Sequence, residues 1–66
     1  SGMVEQVGRA MEPIVAGGAG MVSTHGELWS ATSDEDIREG DEVLIVAVDG
    51  MQLTVKRQPF QISGGS

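Results

Sequence analysis

The sequence has no cysteine, one histidine and only two aromatic residues, Trp29 and Phe60. Without cysteine, neither a disulfide nor a thiolate metal site can stabilise the chain. A single histidine would leave a zinc site almost entirely to carboxylates, which is unusual for zinc. We therefore expect no metal and no other cofactor. The 66 residues suffice for one small domain, which buries only about 60 % of the surface of the unfolded chain.

Basic residues are also scarce, with four Lys and Arg against ten Asp and Glu, for a net charge of −6. Most of this charge lies between Asp34 and Glu42, where six acids stand against Arg38 alone. Binding to phosphate backbones or to anionic membrane surfaces needs clustered Lys and Arg. The charge distribution therefore argues against a nucleic-acid or membrane-surface partner. No apolar run approaches the roughly 18 residues of a membrane-spanning helix.

The ends of the chain differ in composition from its middle. Residues 1–3 are interpreted as the remnant of a fusion tag, and residues 4–58 as the folded domain. Residues 59–66 end in Ser-Gly-Gly-Ser, which is typical of a flexible tail. This organisation indicates a piece of a larger protein.

The stretch STHGELWS predicts a β-hairpin with His25-Gly26 as its turn. A two-residue type I′ turn needs positive φ at both positions, which glycine favours and histidine tolerates better than most residues. Counting outward pairs Val22 with Trp29 on the larger apolar face, which we expect to point inward. The other face carries a mixture of apolar and polar side chains: Met21, Ser23, Leu28 and Ser30.

A second hairpin is predicted with Asp49-Gly50 as its turn, because this pair stands between two β-branched runs. Counting outward from that turn pairs Leu44 with Val55 on the inner face. The run Leu44 to Val46 is apolar on both faces of the strand. This favours a β-bulge that changes which side chains point inward.

Two further segments complete the predicted strand order. A first strand is expected over residues 6–15, interrupted at Pro13 because proline donates no ladder hydrogen bond. Between the hairpins, Ser33 as N-cap and Asp36 three residues later resemble a capping box. These residues predict one helical turn, with Ile37 as its inward anchor and Gly40 at its end.

The fold class predicted from this order is all-β. Closing five short strands into a barrel removes exposed edges, so we expect a five-stranded OB-fold-like Greek-key barrel with one short helical turn between strands 3 and 4. Four large apolar residues are expected to fill its interior: Val22, Trp29, Val48 and Leu53.

Several residues invite a functional interpretation. Ser23, His25 and Asp34 could be taken for a hydrolase triad, but such groups must converge in a cleft, and a turn histidine beside a surface serine is the simpler interpretation. The acids from Asp34 to Glu42 lack the pattern of an EF-hand loop. We therefore predict no catalytic and no metal-binding residue.

An ordered set of residues resembles the soluble C-terminal domain of NfeD-like proteins. The set extends over roughly residues 20–57 and comprises two turn glycines, an aromatic residue, an Ala-x-Ser pair, an isoleucine and a glycine in the loop that follows, and alternating apolar strands: Gly26, Trp29, Ala31, Ser33, Ile37, Gly40, Val43, Ile45, Val46, Val48, Gly50, Leu53 and Val55. The resemblance implies an OB domain in which Val43 and Ile45 point inward before the bulge, and Val46 and Val48 after it.

The resemblance also implies a function. NfeD-like proteins are membrane proteins that act with stomatin- or flotillin-like (SPFH) proteins, and longer members carry a ClpP-like serine protease segment that is absent here. We therefore expect a non-enzymatic interaction domain that docks an SPFH partner or a second copy of itself and regulates membrane proteolysis or membrane organisation. The resemblance places the parent in a membrane, with this domain soluble and on the cytoplasmic side.

Two alternatives remain open at this point. A single-stranded nucleic-acid-binding OB module could use Trp29 as a stacking platform, although no basic groove accompanies it. An accessory domain of a ClpP-class membrane protease would bind the enzyme instead of a scaffold. For a protein partner, the candidate surface consists of outward-facing apolar residues: Met21, Leu28 and Leu44.

Overall fold

A computed structural model describes residues 3–58, which form five β-strands closed into one barrel. The strands are β1 (Val7–Ala10), β2 (Ala19–Thr24), β3 (Glu27–Thr32), β4 (Glu42–Asp49) and β5 (Gln52–Arg57). Their order around the barrel is β1-β2-β3-β5-β4, and pairing between β1 and β4 closes it. Only β3 and β5 run parallel among these strands. The predicted five-stranded, all-β barrel of the OB type is confirmed.

The hairpin of β2 and β3 has the predicted turn and register. His25 and Gly26 have φ angles of 53° and 76°, so both lie in the left-handed region that a type I′ turn requires. Val22 pairs with Trp29, and the whole ladder follows the register counted from the turn. The turn therefore fixes which side chains of both strands face the barrel interior.

The hairpin of β4 and β5 turns one residue later than predicted. Asp49 belongs to β4 and pairs with Gln52, which leaves Gly50 and Met51 as the turn. Of these two, only Gly50 has a positive φ, at 64°. A type II′ turn needs glycine at its first central position alone. The predicted Asp49-Gly50 turn is therefore wrong. The Gly50-Met51 turn also places Gly50 at a position that requires a positive φ.

The predicted β-bulge is present in β4. The register changes between Ile45 and Ala47, so that Val46 is the extra residue on this strand. Ile45 rather than Leu44 pairs with Val55, and Leu44 is only half-buried. The Leu44–Val55 pairing counted from the turn was wrong, whereas the inward position of Ile45 that the resemblance implied is confirmed.

Beyond the bulge, β4 leaves the core. Val46 and Val48 are 39 % and 40 % exposed, so the expectation that both fill the interior is wrong. The ladder between β1 and β4 ends at Leu44. From Val46 onward, β1 therefore no longer covers this strand.

The core of the barrel consists of small and β-branched side chains. Among residues 3–58, nine hydrophobic residues are buried: Ala10, Ile14, Val22, Ala31, Ile37, Val43, Ile45, Leu53 and Val55. The predicted interior positions of Val22 and Leu53 are confirmed. Trp29 is half-buried and packs against the edge of this cluster, as does Met3. Trp29 therefore belongs partly to the core and partly to the surface.

The first strand is shorter than predicted. β1 ends at Ala10, and the chain then turns before Ile14 forms an isolated bridge with Ile37. The two backbone hydrogen bonds of this bridge measure 2.9 and 2.8 Å. Pro13, which lies between β1 and the bridge, cannot donate to a ladder. The bridge ties the loop before β2 to the loop before β4 across one end of the barrel.

The loop between β3 and β4 contains no helical turn, so that prediction was wrong. The Ser33 hydroxyl accepts a hydrogen bond from the amide of Glu35, at 3.0 Å, as in a local turn. The Asp36 carboxylate does not complete a capping box but accepts one from the amide of Ala16, at 2.8 Å. Because Ile37 is held in its bridge, the tertiary contacts outweigh the local helix signal.

The acids of this loop act as acceptors for backbone amides. Besides Asp36, the carboxylate of Asp41 accepts from the amide of Arg38 at 3.0 Å, and that of Glu35 accepts from the amide of Arg57 at 2.8 Å. Two of these bonds join segments about twenty residues apart in sequence. The acidic stretch therefore holds the loop against its neighbours.

Replacing Asp36 by alanine is expected to lower the free energy of unfolding by about 1 kcal/mol, because the amide of Ala16 loses its acceptor. Asp36→Asn keeps an acceptor oxygen at the same position and should cost only a few tenths of a kcal/mol. Urea denaturation of both variants measures the difference. Equal losses in the two variants would show that the charge of Asp36, and not its hydrogen bond, matters.

Candidate binding groove

An open groove lies between the start of β3 and the turn that joins β4 to β5. Its volume is about 590 Å³, within the range of about 300–1,000 Å³ for clefts that hold small ligands. Five residues line it: Glu27, Leu28, Trp29, Ser30 and Met51. We call these five residues the Trp29 groove.

The groove results from the offset between two neighbouring strands. β5 begins opposite Ser30, so the first three residues of β3 extend past the start of that strand. The turn residue Met51 closes the far side of the groove. The parallel pairing of β3 with β5, which connects distant parts of the sequence, therefore creates the groove.

The lining of the groove is mainly apolar and exposed. Leu28 is 63 % exposed and Met51 is 84 % exposed, whereas Trp29 rests partly on the core. The indole N–H of Trp29 donates a hydrogen bond to Oε1 of Glu27, at 3.3 Å. This contact orients the carboxylate beside the indole. The groove can thus accept an apolar side chain next to a negative charge.

The three residues predicted as a partner surface lie on three different strands. Leu28 lines the groove, while Met21 on β2 and Leu44 on β4 are half-buried. The amide of Met21 donates to the Glu12 carboxylate at 2.8 Å. A surface that includes all three residues stays a prediction. The sequence analysis missed Met51, although its position next to a turn glycine was a signal of exposure.

Ser23, His25 and Asp34 are not arranged as a triad. His25 lies in the turn before β3, and Asp34 follows the other end of that six-residue strand. At about 3.3 Å per residue, the strand separates them by about 20 Å, too far for a hydrogen bond. His25 is therefore a turn residue here.

Two further features are absent from residues 3–58. In this part of the chain, no three His, Asp or Glu side chains come together as metal ligands would. It also holds no helix with the length and apolarity needed to cross a bilayer.

The closed barrel with its shallow apolar groove defines the chain as a small OB-type binding domain. Within this class, the chain belongs to the NfeD family, since residues 1–57 match the family's C-terminal, partner-binding domain.

Solved structures share this fold. The C-terminal domain of stomatin operon partner protein 1510-C from Pyrococcus horikoshii is 33 % identical, with a TM-score of 0.79 over 88 % of this chain and 91 % of that one. The soluble domain of a Corynebacterium glutamicum membrane protein implicated in regulation of membrane protease activity is 25 % identical, with a TM-score of 0.77 over 86 % of this chain and 94 % of that one.

A curated relative is considerably longer than this chain. An uncharacterized protein of Methanocaldococcus jannaschii is 37 % identical over 54 residues, which is 82 % of this chain and 39 % of that protein. The chain thus spans less than half the length of that relative.

Proposed function

We propose that this chain is a non-catalytic docking domain that binds an SPFH (stomatin- or flotillin-like) protein on behalf of a membrane-embedded parent. The observation that carries the proposal is the Trp29 groove, in which Leu28 and Met51 remain largely exposed on a partner-binding domain of the NfeD family. Exposed apolar side chains that gather in a concave site are typical of protein interaction surfaces. The parent would hold this domain on the cytoplasmic side of the membrane.

One structural neighbour supports the proposed partner class. The Pyrococcus horikoshii domain is named as part of a stomatin operon partner protein. That domain is 33 % identical to this chain and covers most of it, which supports a partner of the same class. An SPFH protein is therefore the first partner to test.

A second candidate function is that of an accessory domain that regulates a membrane protease. The Corynebacterium glutamicum neighbour, implicated in regulation of membrane protease activity, favours it. In this case the groove would dock the protease, or a protein that controls it. The identity of the partner distinguishes the two functions: a protease or its regulator would bind here in place of an SPFH protein.

Calorimetric titration tests the proposal. The 66-residue chain is titrated with the purified soluble region of an SPFH protein from the same organism, and with a ClpP-class protease domain in a second arm. We expect saturable binding of the SPFH protein with a micromolar Kd, which corresponds to a binding free energy of about −8 kcal/mol. A single-stranded oligonucleotide at low salt serves as the third arm and should give no heat. Binding of the protease or the oligonucleotide alone would contradict the SPFH assignment.

A further inference from the structure

Four of the eight large hydrophobic side chains that are exposed within residues 3–58 lie on β3, on β4 and in the turn before β5, toward one end of the barrel. β3 and β5 run parallel and both begin at this end, and β4, antiparallel to β5, finishes there. Besides Leu28 and Met51, this set comprises Val46 at the bulge and Val48 beyond it. None of these four side chains is among the nine buried hydrophobic residues of the core.

Basic residues are distributed unevenly along the same axis, whereas acids lie toward both ends, including the stretch from Asp34 to Glu42. The end with the Trp29 groove carries the carboxylates of Glu27 and Asp49, the first and last residues of their strands. All Lys and Arg side chains of the chain belong to segments toward the opposite end: Arg9, Arg38, Lys56 and Arg57.

Contacts in the structure place these basic residues. Arg9 donates to the carbonyl of Gly40, just before β4 begins. Arg57 pairs with Val43 near the start of β4. Within the described residues, the groove end is thus apolar and acidic without a Lys or Arg.

This combination selects among possible occupants. A second copy that docks through the same face would bring the acids of the two copies together, which opposes a symmetric dimer. An anionic membrane surface would be repelled for the same reason. A protein segment with apolar and basic side chains satisfies both features of the groove, since its apolar groups fill the cleft while its cations approach Glu27 and Asp49.

We infer that the Trp29 groove recognises a partner segment in which one or two large aliphatic side chains are flanked by Lys or Arg. The inference rests on the proposed docking function and adds the surface and the chemistry of the partner. Leu28 and Met51 contact the aliphatic groups, and Glu27 and Asp49 supply the complementary charge.

A synthetic peptide tests this recognition directly. The probe has two leucines at its centre and two lysines at each end, and it contains no aromatic residue. Because Trp29 is the chain's only tryptophan, its fluorescence reports occupation of the groove. We expect a saturable change in emission, and an affinity that falls at least several-fold between about 0.05 and 0.5 M salt as the charges are screened.

Two altered peptides separate the two parts of the recognition. Replacing the lysines by glutamates should abolish binding, and replacing the leucines by serines should do the same. If the glutamate peptide binds as well as the original, the charge complementarity is wrong. If the serine peptide binds as well as the original, the assignment of the groove to aliphatic side chains is wrong.

Protein variants locate the surface. Leu28→Ser combined with Met51→Ser should weaken peptide binding by about tenfold or more, as for central interface residues. Val15→Ser is the matched control, because Val15 is also largely exposed, at 70 %, but lies in the loop before β2, away from the groove. Equal affinities for the double variant and the control would overturn the assignment.

Other occupants and the proposed function are tested in parallel. A tryptophan shift with vesicles of anionic lipid, or a dimer in sedimentation that the double variant abolishes, would replace the peptide-like partner by a membrane or a second copy. If an SPFH protein binds the wild-type chain and the double variant equally, the groove assignment fails while the docking function stands. If the peptide binds as expected but no SPFH protein does, the groove assignment stands and the SPFH partner is wrong.

Discussion

Replacing Leu53 by alanine is expected to unfold a large fraction of the protein. Leu53 is 0 % exposed, and truncating such a side chain costs about 2–5 kcal/mol through lost burial and the remaining cavity. A core in a domain of this size supplies only about 3–5 kcal/mol in total. Urea denaturation followed by Trp29 fluorescence should therefore show little or no folded baseline for the variant at room temperature.

The same substitution at Leu28 is the matched control. Leu28→Ala removes the same atoms from a side chain that is 63 % exposed, so we expect a change in stability of no more than about 0.5 kcal/mol. Its effect should appear in peptide binding instead. Equal destabilisation by the two substitutions would contradict the closed barrel with Leu53 at its centre.

The first hairpin was predictable because its determinants are local. His25-Gly26 allows one two-residue turn in the left-handed region, and the alternation of side chains then fixes the whole ladder. Val22 was placed in the core by counting from that turn, and Leu28 was placed outside in the same way. Short-range geometry and hydrophobic pattern agree throughout this segment.

The second hairpin was not fully predictable because two turns satisfy its glycine. Gly50 fits the second position of one turn type and the first position of another. The sequence of the hairpin does not decide between them. The bulge at Val46, and the pairing of β4 and β5 with other strands of the closed barrel, determine the register in the folded protein.

The loop between β3 and β4 illustrates the same limit. Ser33 and Asp36 form a local signal for a helix start, yet the carboxylate of Asp36 accepts the amide of Ala16, twenty residues away. Ile37 pairs with Ile14 from the loop before β2. Contacts between distant segments thus outweigh a signal that is only one turn long.

The candidate site was predictable only in part. Leu28 follows from the alternation of one strand, whereas the groove itself depends on where β5 begins beside β3. That offset brings Met51 opposite Trp29, and no short-range pattern encodes it. For the same reason, Trp29 was assigned to the core alone, although it also forms a wall of the groove.

Replacing Gly8 in β1 should destabilise the protein nearly as much as truncating Leu53. The reason is the opposite one, because a side chain is added where no space is available. A Cβ at this position would lie 2.8 Å from Cγ1 of Val22 and 2.9 Å from the carbonyl oxygen of Ser23. Real Cβ atoms do not approach other atoms so closely, so β1 would have to move away from β2. Overpacking of this kind costs about 1–3 kcal/mol, and we expect Gly8→Ala to lower the free energy of unfolding by at least that amount.

A double-mutant cycle distinguishes this steric cause from a general sensitivity of glycine. Val22→Ala removes one of the two clashing groups, so the combination with Gly8→Ala should be less destabilising than the sum of the single changes, by about 1 kcal/mol. Gly50→Ala is the control, because its φ of 64° strains alanine while nothing lies within 4 Å of the added Cβ. Its effect should simply add to that of Val22→Ala. Additivity in the Gly8 pair as well would mean that β1 and β2 do not approach as closely as the closed barrel requires.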